Sequence, residues 1–107
     1  MNMKKYILDF TNVKKRLEMH GIFKEVLEFP DYYGCNWDAF WDCITDMYGE
    51  PMHIEIIGIE AIERKFDGVA EKMIEIFREF KREDDEFLPG CVKIDIIRED
   101  GTVTIVD

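Results

Sequence analysis

Residues 29–45 read FPDYYGCNWDAFWDCIT, and they join a turn-rich loop to a strongly patterned helix. Pro30 and Gly34 are typical of turns, and Asn36 is well placed to cap the helix that follows. The apolar residues of that helix recur at helical spacing, at Trp37, Phe40, Trp41 and Ile44. The acids fall on its other side, at Asp38, Asp42 and Asp46. The stretch therefore predicts an amphipathic helix to about residue 47 with an acidic outer face.

The patterns on either side of this stretch alternate between strands and helices. Short apolar or β-branched runs predict strands at residues 6–8, 52–57, 92–97 and 102–106. Helical spacing predicts helices at about residues 17–28 and 66–83, with Asp67 as a candidate cap of the second. Residues 58–64 are expected to form a short helix or a turn, and residues 84–90 a loop. Strands that alternate with helices favour a single α/β domain over residues 1–107, with a largely parallel sheet covered by helices.

The charge of the chain is strongly acidic and unevenly distributed. Asp and Glu number 24 against 14 Lys and Arg, which gives a formal net charge of −10. No Lys or Arg occurs between Glu25 and Glu63, whereas ten acids do. Phosphates would repel such a chain, so direct binding to nucleic acid is not expected. A surface of one sign attracts a cationic partner and speeds their encounter.

The cysteines and the apolar runs bear on the compartment and on cofactors. Cys35, Cys43 and Cys91 are odd in number and show no paired spacing, which is typical of free thiols in a reducing compartment. No apolar run reaches the roughly 18 residues of a membrane helix, and the run after Lys5 is too short for a signal-peptide core. We expect a cytoplasmic chain that enters no membrane. His20 lacks a ligand-like spacing to the cysteines, so neither a metal nor another cofactor is expected.

The paired carboxylates allow an enzymatic interpretation as well as a binding one. Asp38 and Asp42 lie four residues apart and share a helix face, which a hydrolase or a Mg²⁺ site could use. No nucleophile motif or phosphate-binding loop accompanies them, so we do not expect an enzyme. Cys43 has no base near it in sequence and is interpreted as a structural thiol. Composition alone leaves open whether the neighbouring aromatic residues belong to the core or to a protein-binding surface.

Residues 29–45 also resemble the signature of the barstar family. That signature contains a Pro, an acid, Tyr-Tyr-Gly, any residue, Asn, an apolar residue, Asp-Ala, an apolar residue and Trp-Asp. Residues 77–81, FREFK, resemble the last helix of the family, and the order of elements is similar from Lys4 to about Glu83. The resemblance implies a three-stranded parallel sheet packed with about four helices, to which this chain adds an antiparallel C-terminal strand. It further implies an inhibitor of a basic, extracellular-type ribonuclease.

The resemblance also implies which residues contact the partner. Asp42 would be the central anchor in the phosphate site of the nuclease, Asp38 would pair with further basic groups, and Tyr32 would stack on a catalytic histidine. The full set of expected partner-binding residues is Tyr32, Tyr33, Gly34, Asn36, Trp37, Asp38, Trp41, Asp42, Asp46 and Glu79, with Glu83 as a further match. Tyr33 and Gly34 are expected to shape the loop.

The departures from the family pattern leave the partner open. Met47 replaces a tryptophan, Trp37 replaces a leucine and Asp46 replaces a glycine. The region 84–90 is longer, and residues 101–107 continue past the usual last strand. The alternatives are therefore a barstar-like regulator that binds a protein other than a nuclease and, with less support, a hydrolase that uses Asp38 and Asp42.

Overall fold

The computed structural model describes residues 3–107 and shows the predicted α/β fold. The elements follow one another as β1 (Lys4–Asp9), α1 (Arg16–Val26), α2 (Trp37–Thr45), β2 (Met52–Ile57), α3 (Ile59–Lys65), α4 (Val69–Phe87), β3 (Val92–Ile97) and β4 (Val103–Ile105). The sheet order is β1-β2-β3-β4, with the first three strands parallel and β4 antiparallel to β3. Both the parallel sheet and the added C-terminal strand are therefore confirmed.

The two faces of the sheet have different chemistry. In-register residues such as Ile54 and Ile94 are fully buried and form one face of the core. The opposite face presents rows of charged and apolar side chains, among them the row Ile7, Glu55, Asp95 and Ile105. A parallel sheet is usually covered on both faces. In the described chain the second face is instead partly open, and its acids Glu55 and Asp95 contact Lys5 and His53.

The core beneath the helices is built around aromatic rings. Phe23 of α1 has ring-centroid distances of 4.6 Å to Phe40 of α2 and 6.3 Å to Phe77 of α4. Phe40 and Phe77 also meet at 5.4 Å with their planes nearly perpendicular. Edge-to-face contacts of this kind add to the free energy of apolar burial. The contacts fix α1, α2 and α4 against one another, and this places α2 beside α4 at the surface.

The predicted loop at residues 84–90 is confirmed only for residues 88–90, because α4 continues to Phe87. Asp84 is buried within this helix, and its Oδ1 accepts a hydrogen bond of 2.8 Å from the backbone N–H of Gly49. The start of α4 also differs from the prediction. The helix begins at Val69 after Gly68, whose φ is +73°, and Asp67 does not cap it.

The first helix ends earlier than the proline would require. α1 stops at Val26, and Glu28 then adopts a positive φ of 58°, two residues before Pro30. The left-handed conformation at Glu28 turns the chain before proline can act. None of the described helices is long and apolar enough to cross a bilayer.

Candidate partner-binding face

The loop before α2 is organised by one side chain that caps the helix. Asn36 Oδ1 accepts a hydrogen bond of 2.8 Å from the backbone N–H of Ala39, which confirms Asn36 as the N-cap. The Asn36 side-chain amide also donates to the carbonyl of Gly34 at 3.3 Å. Cys35 between them has a φ of +55°. These contacts set the angle at which the loop enters the acidic helix.

The two adjacent tyrosines of the loop point in opposite directions. Tyr33 is only 6% exposed, and its hydroxyl lies 2.6 Å from Nδ1 of the buried His20. Burial raises the pKa of Tyr33 and lowers the pKa of His20 below its usual value of 6.5. Tyr32 is 83% exposed. The Tyr33 ring therefore packs in the core, which suits its expected loop-shaping role, while Tyr32 is free to make contacts. A direct contact of Tyr33 with a partner stays a prediction.

The three acids of α2 and its C-terminus point into solvent. Asp38, Asp42 and Asp46 are exposed, and none of their carboxylates forms an ion pair or hydrogen bond with another side chain in the part of the chain that is described. Exposed carboxylates without internal cations keep their full charge available to an approaching molecule. If these carboxylates turned inward and paired with cations of the chain, the helix could not offer an acidic contact surface. Among the described residues they instead point outward and have no such partner.

A shallow groove separates this acidic helix from α4. Its lining consists of Trp37, Asp38, Trp41, Lys72, Ile76, Glu79 and Glu83. Trp37 and Trp41 are half-buried, and they supply apolar surface between carboxylates from both helices. The structure thus brings Asp38 of α2 together with Glu79 and Glu83 of α4, although they are about 40 residues apart in sequence. We call the surface formed by Tyr32, Asp42, Asp46 and this groove the acidic face.

The two acids that α4 contributes differ in freedom. Glu79 is exposed and has no charged partner within residues 3–107. Glu83 is half-buried and accepts a hydrogen bond from the hydroxyl of Tyr48. Burial and the neighbouring Glu83 raise the pKa of Tyr48, so the phenol stays protonated and keeps donating. Glu83 is therefore positioned more rigidly than Glu79.

Two residues at this groove were not anticipated from the sequence. Lys72 places a cation at one end of it, and Tyr48 holds Glu83 in place. The spacing of residues 72, 76, 79 and 83 along α4 is that of one helix face, so the pattern could have identified Lys72. Nothing local in sequence indicates Tyr48, because its bond to Glu83 spans 35 residues.

The thiol of Cys43, in the helix that carries the acidic face, is kept in its protonated form. Cys43 of α2 is buried, and burial together with Asp46 and Asp42 raises the pKa of its thiol. A raised pKa disfavours the thiolate that a nucleophilic cysteine needs. Residues 3–107 also contain no group of three His, Cys, Asp or Glu side chains arranged to hold a metal ion. The surface presents exposed carboxylates flanked by aromatic rings.

Two comparisons with known proteins agree with the sequence resemblance. The family model described as "Barstar (barnase inhibitor)" matches residues 3–94, so the match ends within β3 and does not include the following turn or β4. A Bacillus subtilis (strain 168) protein named "Putative ribonuclease inhibitor YrdF" is 34% identical over 86 residues, which cover 79% of this chain and 94% of that protein. On the extent of both matches, the chain belongs to the barstar family.

Proposed function

We propose that the chain is an intracellular inhibitor of a basic ribonuclease and that it acts by placing the acidic face over the nuclease active site. The observation that carries the proposal is the set of exposed carboxylates on α2 and its C-cap, at Asp38, Asp42 and Asp46, which have no ion-pair partner within residues 3–107. The family description and the name of the Bacillus subtilis relative both refer to ribonuclease inhibition.

The physical basis is mimicry of a polyanion. A ribonuclease binds RNA phosphates, so its active site is lined with cations, and carboxylates can take the place of those phosphates. Removing a carboxylate from water costs several kcal/mol, and this cost is offset only where a cation meets it at close range. Asp42, near the middle of the exposed row on α2, is the residue that we assign to the deepest contact.

The scaffold reduces the entropy cost of binding. The N-cap of α2 and the buried Tyr33 fix the loop and the helix backbone that carry the carboxylates before the partner arrives. Groups that are already ordered lose less conformational freedom on association. Tyr32, which is exposed beside them, is available to stack on a planar group of the nuclease.

The test is inhibition of a panel of purified, basic, secreted bacterial ribonucleases. We expect the wild-type chain to inhibit at least one of them at near-stoichiometric concentration. Asp42→Ala should weaken that inhibition by about 2 kcal/mol or more, which is at least about 30-fold in Kd. The strongest examples in this class come from a barstar complex, so the magnitude is transferred from the family.

Asp67→Ala is the matched control for this experiment. Asp67 is also exposed, but it lies in the connection between α3 and α4 and does not line the groove. Removing the same charge there should leave inhibition nearly unchanged. If the wild type inhibits no member of the panel, or if both variants inhibit equally, the proposal fails. A stable complex with a protein that is not a nuclease would then favour a regulatory function.

A further inference from the structure

Helix α4 continues past Glu83 and ends in two exposed apolar side chains. Phe87 closes the helix and is 71% exposed, and Leu88 directly after it is 49% exposed. Single exposed apolar residues are common on soluble proteins and need no explanation. Two large ones in succession, at the end of a helix that lines a candidate binding groove, form a larger apolar patch.

The patch is continuous with the acidic face. Phe87 lies four residues after Glu83, so the two occupy the same side of α4, one turn apart. The ring of Phe87 is 6.2 Å from that of Tyr48, and the Tyr48 hydroxyl bonds to Glu83 in the groove. From Lys72 to Phe87, one side of α4 therefore carries a cation, then two acids, then an apolar end.

Buried contacts hold this end of α4 in place. Asp84 accepts a hydrogen bond from the backbone of Gly49, and the ring of Tyr48 stacks on that of Phe80 at 5.4 Å with an interplanar angle of 10°. Leu88 Cδ1 would lie 3.3 Å from a Cβ placed at Gly49. The last turn is thus packed against the segment between α2 and β2. A side chain on an ordered helix end loses less conformational freedom on binding than one on a mobile segment.

We infer that Phe87 and Leu88 form the apolar end of the same partner-binding surface. The inference rests on the proposed function and specifies the partner further. The partner is a protein with an apolar patch beside its cationic cleft, at the end where Glu83 docks. Aromatic residues next to charges are the usual composition of residues that contribute most to an interface. The apolar contact would then mainly lower the dissociation rate constant, and the charged contacts would mainly raise the association rate constant.

The test uses the ribonuclease that the wild-type chain inhibits most strongly in the panel. Phe87→Ala should raise the dissociation rate constant about tenfold, and the increase should be similar at low and high salt. Phe87→Leu should restore most of the slow dissociation because it keeps an apolar side chain. Ile105→Ala is the control, since Ile105 is 60% exposed but belongs to β4 at the edge of the sheet.

The possible outcomes separate the two proposals. If Asp42→Ala weakens binding but Phe87→Ala behaves like Ile105→Ala, the apolar end has no part in binding and this inference is overturned alone. If the loss caused by Phe87→Ala disappears at high salt, the effect is electrostatic, and the inference is again overturned. If the wild-type chain inhibits no ribonuclease, both proposals fail. Because Phe87 is largely exposed, the circular dichroism spectrum and the unfolding transition of the Phe87→Ala protein should stay close to those of wild type.

Discussion

The acidic face and the open face of the sheet carry carboxylates in opposite circumstances. On the sheet, Glu55 lies 2.7 Å from the Lys5 ammonium and Asp95 lies 2.8 Å from His53 Nε2. On the acidic face, Asp38, Asp42 and Asp46 have no such partner within the described residues. The difference shows two uses of the same group. Paired acids make contacts within the fold. Unpaired acids repel one another, and the binding of a cationic partner reduces this repulsion.

The largest effect on stability is expected where an internally paired acid is removed. Asp95→Ala breaks the contact with His53 on β2 and leaves that half-buried imidazole without its partner. We expect a loss of roughly 1–3 kcal/mol in the free energy of unfolding, measured by urea denaturation. Asp95→Asn keeps an acceptor in place and should lose less.

The same variant also tests the separation of the two surfaces. Asp95 lies on the sheet, away from the groove, so Asp95→Ala should inhibit the nuclease as well as wild type once it is folded. Weakened inhibition by a fully folded Asp95→Ala protein would show that the two regions are not independent.

A smaller effect on stability is expected from the buried contact between His20 and Tyr33, which joins the loop before α2 to the core. Burial lowers the pKa of His20 below 6.5, so the unfolded state binds more protons as the solution is acidified. The contribution of the neutral His20 to the free energy of unfolding is therefore fully present above about pH 6.5. It falls as the pH drops towards the pKa of His20 in the folded state, by at most about 1.4 kcal/mol per pH unit.

Urea denaturation of wild type and His20→Gln between pH 7 and pH 5 measures this contribution. The acids of the chain titrate in the same range, so the comparison concerns the slopes and not the absolute stabilities. The His20→Gln protein should show a shallower loss of stability on acidification. Equal slopes in the two proteins would mean that His20 is not kept neutral in the fold.

The smallest effect, with the opposite sign, is expected on the acidic face itself. Asp46 stands at the C-terminal end of α2, where the helix dipole disfavours a negative charge and where the last turn carries no basic residue. Asp46→Asn should therefore stabilise the fold by roughly 0.3–1 kcal/mol while slowing association with the nuclease. Thermal unfolding and stopped-flow binding measure the two quantities. A destabilised Asp46→Asn protein would contradict the view that this acid is retained for binding.

Much of the fold could be predicted because its signals are local. The N-cap at Asn36 and the apolar spacing of α2 lie within one short stretch, and the structure confirms both. The end of α4 could not be predicted, because Asp84 in a run of acids resembles a solvent-exposed loop. Its hydrogen bond to Gly49 crosses 35 residues, and such a tertiary contact leaves no trace in local pattern.

The residues of the candidate site that follow from local helical spacing could also be predicted, whereas those that depend on contacts distant in sequence could not. The acids of α2 follow from helical spacing, and the structure places them outward as expected. The opposite directions of Tyr32 and Tyr33 depend on loop geometry and on His20 of another element, which the sequence pattern does not contain. The contact roles of the individual residues stay predictions until a complex is measured.

The most direct test of the central claim is the salt dependence of association with the inhibited ribonuclease. The triple variant Asp38→Asn, Asp42→Asn, Asp46→Asn is compared with a control of equal net charge, Glu25→Gln, Asp67→Asn, Asp107→Asn. We predict that the association rate constants of wild type and control fall steeply as salt rises, while the triple variant associates slowly with little salt dependence. A triple variant that matches the control in rate and in slope would contradict the account.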